Sequence, residues 1–395
     1  MNILYICDEY PPCQHGGIGT VTQILSRYLV DKGHKIVVAG FYPYYRKALP
    51  NEIDNGVIVH RIFYGNTWKL KLSKHWLSGR FINIKKEFDK YIKFLNWLID
   101  KYELEIIEMP DFSEAIYYGR FEDINFSALK KPIVVKLHGS YSFVKNNLAR
   151  NMLIYNLERK NILNASGVIA ISEFVKKKTI SIFGIINKID IIYHGIKIGF
   201  EVENFISKKN NKVIFAGSVS ENKGIFQLLK AWKYVNYQIF NFELHIYGKG
   251  SISEIKKLNY ILKKENINNV FYNGFINFEN LSEEYKNASL AIFPSYIEAF
   301  GMAPIEAMSF GCPTIFTKRA SGPEIIENKV DGLLVNPDDI QEIADSILYL
   351  LIYREHALTM AKNGLKKIAK LFDISIISDK HIKFYKTIIC NKTTT

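Results

Sequence analysis

The chain has 395 residues, 48% of them hydrophobic, with a formal net charge of +13. That length exceeds one ordinary core and predicts two domains of about 150–200 residues, and so much apolar content excludes a disordered chain. Cys7, Cys13, Cys312 and Cys390 show no C-x-x-C and no disulfide-like spacing, which fits a reducing cytosol.

The elements in chain order read as two successive α/β alternations. Asn2–Cys7, Lys35–Gly40, Val57–Phe63, Leu104–Met109, Ile133–His138, Val168–Ser172 and Ile189–Tyr193 read as strands separated mostly by helical stretches. This is the pattern of a doubly wound parallel sheet. Asp8 and Glu9 follow the first strand at once and no basic segment precedes it, unlike a signal peptide. After a polar, Lys/Asn-rich stretch from Gly195 to Asn211, the alternation restarts. Its strands are Lys212–Gly217, Phe242–Gly248, Val270–Asn273, Leu290–Phe293, Pro313–Phe316 and Gly332–Val335. The remainder, from Asp338 to about Ile389, is helical by period. No apolar run reaches the roughly 18 residues of a membrane span. In open α/β sheets ligands bind beyond the carboxyl ends of the strands, so the loops there are the candidate sites.

Gly16-Gly17-Ile18-Gly19 follows the first strand and precedes a helical run from Val21 to Val30. Glycines here permit φ > 0 and close approach of backbone N–H groups to a ligand; a plain tight turn fits equally. The stretch is not G-x-G-x-x-G, and no acid follows the second strand, so it is no dinucleotide fingerprint. His138 ends its strand and is followed by Gly139, a position that either touches a ligand or serves the structure. Phe215 to Gly224 is another strand, loop and helix start. It carries Ser218, and Lys223 as a point charge suited to a diphosphate. Tyr247-Gly248-Lys249-Gly250 and Gly274-Phe275-Ile276 follow strands and read as ligand loops or as turns.

The most telling stretch is Pro294 to Glu306, where Glu298 and Glu306 flank a Phe300-Gly301 step that opens a helix. A helix N-terminus, here the N–H groups of Gly301, Met302 and Ala303, suits an anion such as a diphosphate. Ionised carboxylates instead accept from hydroxyls. The unit therefore suits a molecule with a phosphate middle and hydroxyl-rich ends, as a nucleotide sugar is.

With Gly311-Cys312-Pro313-Thr314 and Ser321-Gly322-Pro323-Glu324 downstream, this segment resembles the donor-site signature of retaining glycosyltransferases of family 4. That signature is Glu-x7-Glu with Phe-Gly after the first Glu, and weaker resemblance extends over nearly the whole chain. It implies the GT-B fold, two Rossmann-like doubly wound domains facing an interdomain cleft. The expected domains are an acceptor-side one, residues 1–198 with a returning C-terminal helix 375–395, and a nucleotide-sugar-binding one, residues 199–374. The resemblance implies transfer of a sugar from a nucleotide diphosphate sugar to a hydroxyl acceptor, a glycan or lipid-linked glycan of bacterial surface polysaccharide assembly. Attack is on the front face, and the leaving phosphate helps to deprotonate the acceptor.

By the same resemblance Gly16, Gly17 and Gly19 face the donor diphosphate and the acceptor, His138 orients the donor sugar, and Glu298 accepts from sugar hydroxyls. Glu306 accepts from the ribose diol, while Lys223, Phe300, Gly301, Met302 and Ala303 form the donor site. Ser218 stands where the family has an arginine, and a hydroxyl cannot replace a bidentate guanidinium. Two alternatives stay open: an epimerase of sugar nucleotides with this fold, which binds the same donor and needs no acceptor, and a catalytically weak transferase-like subunit acting as a membrane scaffold, which Ser218 favours. No cofactor and no metal are expected. There is no Asp-x-Asp and no zinc spacing, and neither a G-x-S-x-G nor a P-loop pattern occurs.

The charge is uneven. Residues 1–200 hold 28 Lys/Arg against 18 Asp/Glu, and the rest hold 24 against 21. Within the basic half, residues 68–93 mix Lys and Arg with Trp, Leu and Phe, including Trp76 and Phe81. An anionic membrane surface fits this mixture, as does an amphipathic element packed on its own domain. With no accompanying motif, nucleic acid is not an expected partner. The expected place is the cytoplasm, peripheral to the inner face of the membrane.

Overall fold

The computed structural model describes residues 1–12, 16–43, 48–64, 78–111, 126–143, 148–185, 188–198 and 210–393. Of these, residues 43, 64, 78–87, 141, 148–153 and 392–393 are described by their backbone alone. The chain divides into two compact units, Met1–Gly195 with Ile374–Thr395, and Ile196–Asp373. Residues 68–77 lie outside the described residues, and with them Trp76; the side chain of Phe81 does too.

The first unit holds strands β1 (Asn2–Ile6), β2 (Lys35–Pro43), β3 (Asn51–Asp54), β4 (Val57–Tyr64), β5 (Ile106–Pro110), β6 (Ile133–Leu137), β7 (Gly167–Ala170) and β8 (Asp190–Ile191). Its helices in this stretch are α1 (Gly17–Asp31), α2 (Ser78–Tyr102), α3 (Leu148–Leu163) and α4 (Glu173–Phe183). The strand order is β3-β4-β2-β1-β5-β6-β7-β8. The central strands are mostly apolar and buried on both faces, as a parallel sheet covered by helices demands. α4 starts where it does because the Ser172 side chain accepts from Val175 N at 3.1 Å, with Glu173 in the first turn.

The sheet differs from the all-parallel expectation at one edge. β3 pairs antiparallel with β4, Asp54 opposite Val57, through a turn with Asn55 at φ 47° and Gly56 at φ 84°. An Asn-Gly step is a strong short-range hairpin signal. Here only four residues precede it, alternating exposed and half-buried, too short and polar to stand out as a strand.

The second unit holds β9 (Lys212–Ala216), β10 (Glu243–Tyr247), β11 (Val270–Gly274), β12 (Leu290–Phe293), β13 (Thr314–Thr317) and β14 (Leu333–Val335). Its helices are α5 (Ile225–Gln238), α6 (Ile252–Lys264), α7 (Phe278–Asn287), α8 (Met302–Ser309), α9 (Gly322–Ile325), α10 (Ile340–Ile352) and α11 (Arg354–Leu371). All strand pairs are parallel, in the order β11-β10-β9-β12-β13-β14. The winding direction changes between β9 and β12, the kind of switch point at which open sheets leave a crevice for ligand. Trp232, Leu228, Leu229, Ile246, Ile292 and Ile347 are fully buried in its core.

The last helix, α12 (Ile374–Thr393), returns to the first unit, where Ile374, Ile377 and Tyr385 join the core of β1, β2 and α1. A buried polar network also holds it. Lys136 Nζ on β6 lies 3.0 Å from His381 Nε2 and 3.7 Å from Glu108 Oε1 on β5. Tyr385 donates to Glu108 Oε2 at 2.5 Å, and its hydroxyl lies 3.3 Å from that of Tyr5 on β1. Burial, with the Lys136 charge beside it, holds the His381 imidazole well below its ordinary value. The neutral ring therefore donates from Nδ1 to the Ile377 carbonyl at 2.9 Å and accepts the ammonium at Nε2.

Removing one member leaves another charge buried without compensation. Lys136→Met should lower the unfolding free energy by roughly 3 kcal/mol or more. The double variant Lys136→Met/Glu108→Gln should lose clearly less, because both charges go together. Urea unfolding of the parent, the single and the double variant checks the ordering; equal losses would refute it.

Candidate functional site

The candidate residues of the second unit gather on loops at the carboxyl ends of its strands. After β9 the chain makes a short turn, Glu221–Lys223, and Gly224 enters α5 at φ 70°. A Cβ on Gly224 would lie 1.9 Å from the Pro294 carbonyl oxygen, so only glycine lets this loop close onto the one after β12. Tyr296 N donates to the Asn222 carbonyl at 2.8 Å and fixes the contact. The result is an ion pair between Lys223 Nζ and Glu298 Oε2, both partly shielded from water. The sequence reading gave these two residues separate tasks, and the fold brings their charges together.

Past Glu298 the loop is held by Ser321, which is fully buried. Its hydroxyl reaches the Phe300 carbonyl at 2.7 Å and the Glu298 carbonyl at 3.0 Å. Phe300 is buried, edge-to-face with Phe372 at 5.8 Å. Gly301 caps α8 at φ 102°, and a Cβ there would meet the Phe316 ring at 2.8 Å. Met302 and Ala303 follow as the first helical residues, half-buried, and Pro304 contributes no N–H. The first N–H groups of a helix have no internal acceptor, so those of Met302 and Ala303 are open to an anion.

Glu306 sits one turn further on, partly accessible, with no hydrogen-bond donor to its carboxylate among the described residues. Burial pushes its carboxyl up to about 7. Ser218 is exposed, its Oγ 3.2 Å from Ser220 Oγ. A groove of about 930 Å³ lies against β14 and α10, lined by Lys318, Arg319 and Glu342 among others. Two of its cations are already engaged, Lys318 by Glu342 and Arg319 by Asp338, and the loops after β9 and β12 are the better site.

In the first unit, Gly16 is the N-cap of α1 at φ −107°, and Gly17 and Gly19 lie in the first turn rather than in a loop. Gly16 and Gly17 do not adopt positive φ. What absence of a side chain provides at Gly16 is room for Glu9, whose Oε2 accepts from Gly16 N at 2.7 Å. A carboxylate thus already occupies this helix N-terminus.

His138 follows β6 and stacks on His194 with centroids 5.1 Å apart. Burial, then the nearby Lys136 charge, holds its imidazole well below the ordinary value, so the ring is neutral. Its loop hangs on Asp111, a residue the sequence reading passed over. Asp111 Oδ1 accepts from His138 N at 2.9 Å, and Oδ2 from Gly139 N at 3.3 Å and Ser140 Oγ at 2.9 Å. A signal was available: an acid directly at the end of an apolar strand, after Met109-Pro110, is placed to collect backbone donors from the neighbouring strand's loop. Among the described residues no cluster of three or more His, Cys, Asp or Glu could hold a metal ion. No helix among them is long and apolar enough to cross a membrane.

Burial outweighs those three donors and pushes the Asp111 carboxyl up to about 6. A carboxyl whose folded value lies above its unfolded one holds its proton more tightly when folded, so stability falls as pH rises between the two values. The stability difference between the parent and Asp111→Asn should therefore move against the parent from about pH 4 to pH 6 and level off above. Urea titrations at half-unit pH intervals check this; a flat difference would refute the buried titration.

Two family descriptions match the chain: Glycosyl transferases group 1 over residues 200–367, and Glycosyltransferase Family 4 over residues 15–200. An uncharacterized glycosyltransferase of Methanocaldococcus jannaschii is 26% identical over 98% of both chains. The capsular polysaccharide biosynthesis glycosyltransferase CapM of Staphylococcus aureus is 26% identical over 60% of this chain and 66% of its own. The crystal structure of Anabaena HepE in complex with UDP-glucose superimposes with a TM-score of 0.74 at 19% identity, covering 98% of this chain and 100% of that one. Between them the two family matches span residues 15–367, and the chain belongs to the GT-B glycosyltransferases of group 1 and family 4.

Proposed function

We propose that this glycosyltransferase moves a sugar from a nucleotide diphosphate sugar to a hydroxyl of a glycan or lipid-linked glycan, with retention and without a metal ion. The observation that carries the reading is the Lys223–Glu298 pair on the same loop system as the open N–H groups of Met302 and Ala303. Cation and helix N-terminus suit the diphosphate, and the carboxylates suit hydroxyls. The Anabaena structure with UDP-glucose and the capsular relative support a nucleotide-sugar donor and a polysaccharide setting.

In this mechanism the bond from the sugar's anomeric carbon to the diphosphate oxygen breaks. The acceptor oxygen bonds to the same face of that carbon, and the acceptor proton passes to the departing phosphate oxygen. Charge grows on the diphosphate as the bond breaks, and donors already in place stabilise it at little reorganisation cost. Lys223 and the first N–H groups of α8 have that task. Glu298, once Lys223 turns to phosphate, is free to accept from sugar hydroxyls. Glu306 takes the ribose diol. His138, neutral, offers one hydrogen bond without adding charge.

The basic, aromatic stretch 68–93 supports work at the cytoplasmic face of a membrane carrying a lipid-linked acceptor, where each cation near an anionic surface adds about 1 kcal/mol.

Because Glu306 titrates at about 7, its capacity to accept from a diol grows as pH rises through neutrality. Nucleotide affinity should rise more steeply from pH 6 to pH 8 in the parent than in Glu306→Gln, which keeps only the dependence from ionisation of the nucleotide's terminal phosphate. Glu306→Ala should weaken binding by roughly 1.5–3 kcal/mol, the range for hydrogen bonds to a charged group. Calorimetry with UDP, GDP and ADP checks both. Transfer should survive excess EDTA, and NMR of the product should show the donor's anomeric configuration. Parent-like nucleotide binding by both Glu306 variants, or an inverted product, would overturn the assignment.

A further inference from the structure

A doubly ionised diphosphate needs more positive charge than Lys223 offers, because Glu298 already balances that ammonium. Other cations near these loops are also committed: Lys257 of α6 pairs with Glu221, and Arg319 with Asp338. Ser218 is neutral.

The strand ladder supplies an alternative. The register of β9 on β10 places Ala216 opposite Tyr247, and it resumes beyond the strands with Val219 opposite Gly250. Gly217 N donates to the Tyr247 carbonyl at 2.9 Å and Val219 N to the Lys249 carbonyl at 2.8 Å. Ser218 and Lys249 therefore face each other in register just beyond the two strands. The approach is close: Gly248 has φ 143°, and a Cβ there would lie 1.9 Å from the Gly217 carbonyl oxygen. Lys249 is exposed, and among the described residues no carboxylate lies within ion-pair distance of it. Its ammonium rests over the Phe275 ring at 4.4 Å, a weak cation–π contact at an exposed site.

We propose that Lys249 supplies the second positive charge to the donor diphosphate, delivered from the loop after β10 beside the neutral Ser218. On nucleotide binding its ammonium leaves the Phe275 ring for a phosphate oxygen, and the long flexible stem permits that movement without backbone change. The inference rests on the nucleotide-sugar reading above.

The test uses the full chain and measures binding of UDP, GDP and ADP by calorimetry and of the matching nucleosides by NMR titration. Lys249→Gln should weaken the preferred nucleoside diphosphate about tenfold or more, as loss of a charge-assisted contact does. The matching nucleoside should bind as it does to the parent. Lys249→Arg should keep most of the diphosphate affinity, and Ser218→Arg added to Lys249→Gln should restore it, because the new guanidinium would stand in the neighbouring register position. Diphosphate affinity unchanged in Lys249→Gln would overturn the proposal. So would an equal loss for nucleoside and diphosphate, which marks a merely structural role, or absence of rescue by Ser218→Arg. A parent that binds none of the three diphosphates would instead overturn the donor-site reading itself.

Discussion

The close approach of Gly224 to the Pro294 carbonyl governs the second unit's loops. The space between that backbone atom and the α carbon is too small for a methyl group, so the strand-end loops after β9 and β12 touch backbone to backbone. From that contact follow the Tyr296–Asn222 hydrogen bond and the Lys223–Glu298 ion pair. Gly301 repeats the device a few residues on, admitting the Phe316 ring where a side chain would be. Together these approaches set where α8 begins, and hence where its first N–H groups open.

In the proposed donor site the pair would have a functional logic. A lysine and a glutamate held together are mutually neutral, partly shielded and satisfied, so they can wait without ligand at small cost. An anion competes for the lysine and hydroxyls compete for the glutamate. A molecule bearing both exchanges one satisfied arrangement for another, and a molecule bearing only one leaves a partly buried group without a partner. At the proposed site that asymmetry would be a source of specificity, since unpaired buried polar groups cost more than paired ones return.

The first unit is organised differently. Its apolar sheet carries two charges in its middle, Glu108 and Lys136, which are tolerable there because α12 brings His381 and Tyr385 to meet them. The C-terminal helix thus belongs to the sheet of the N-terminal half. The same lysine helps to keep His138 neutral, while Asp111 fixes the backbone from which that ring projects. Docking of the last helix and the state of the candidate sugar-contacting histidine share one electrostatic environment.

What could be read from the chain is local. Alternating apolar runs and helical periods identify both α/β halves, since burial on both faces leaves its mark within each segment. The Glu298–Glu306 spacing and the Phe300-Gly301 step sit within one loop and helix start, so their chemistry was legible from neighbours in sequence. The short strand β3 was missed because four half-exposed residues carry too little pattern. The glycines that open α1 read as a loop because composition does not say whether glycine serves φ > 0 or, as at Gly16, room for the Glu9 carboxylate. Residues distant in sequence were out of reach: Lys223 with Glu298, Lys136 with His381, Ser218 beside Lys249. Sequence by itself determined the element types, the fold class and the chemical character of each loop, because these depend on periodicity and residue type. The tertiary structure alone decided which charges meet, because pairing depends on strand order and register, and those are settled only when the whole sheet packs.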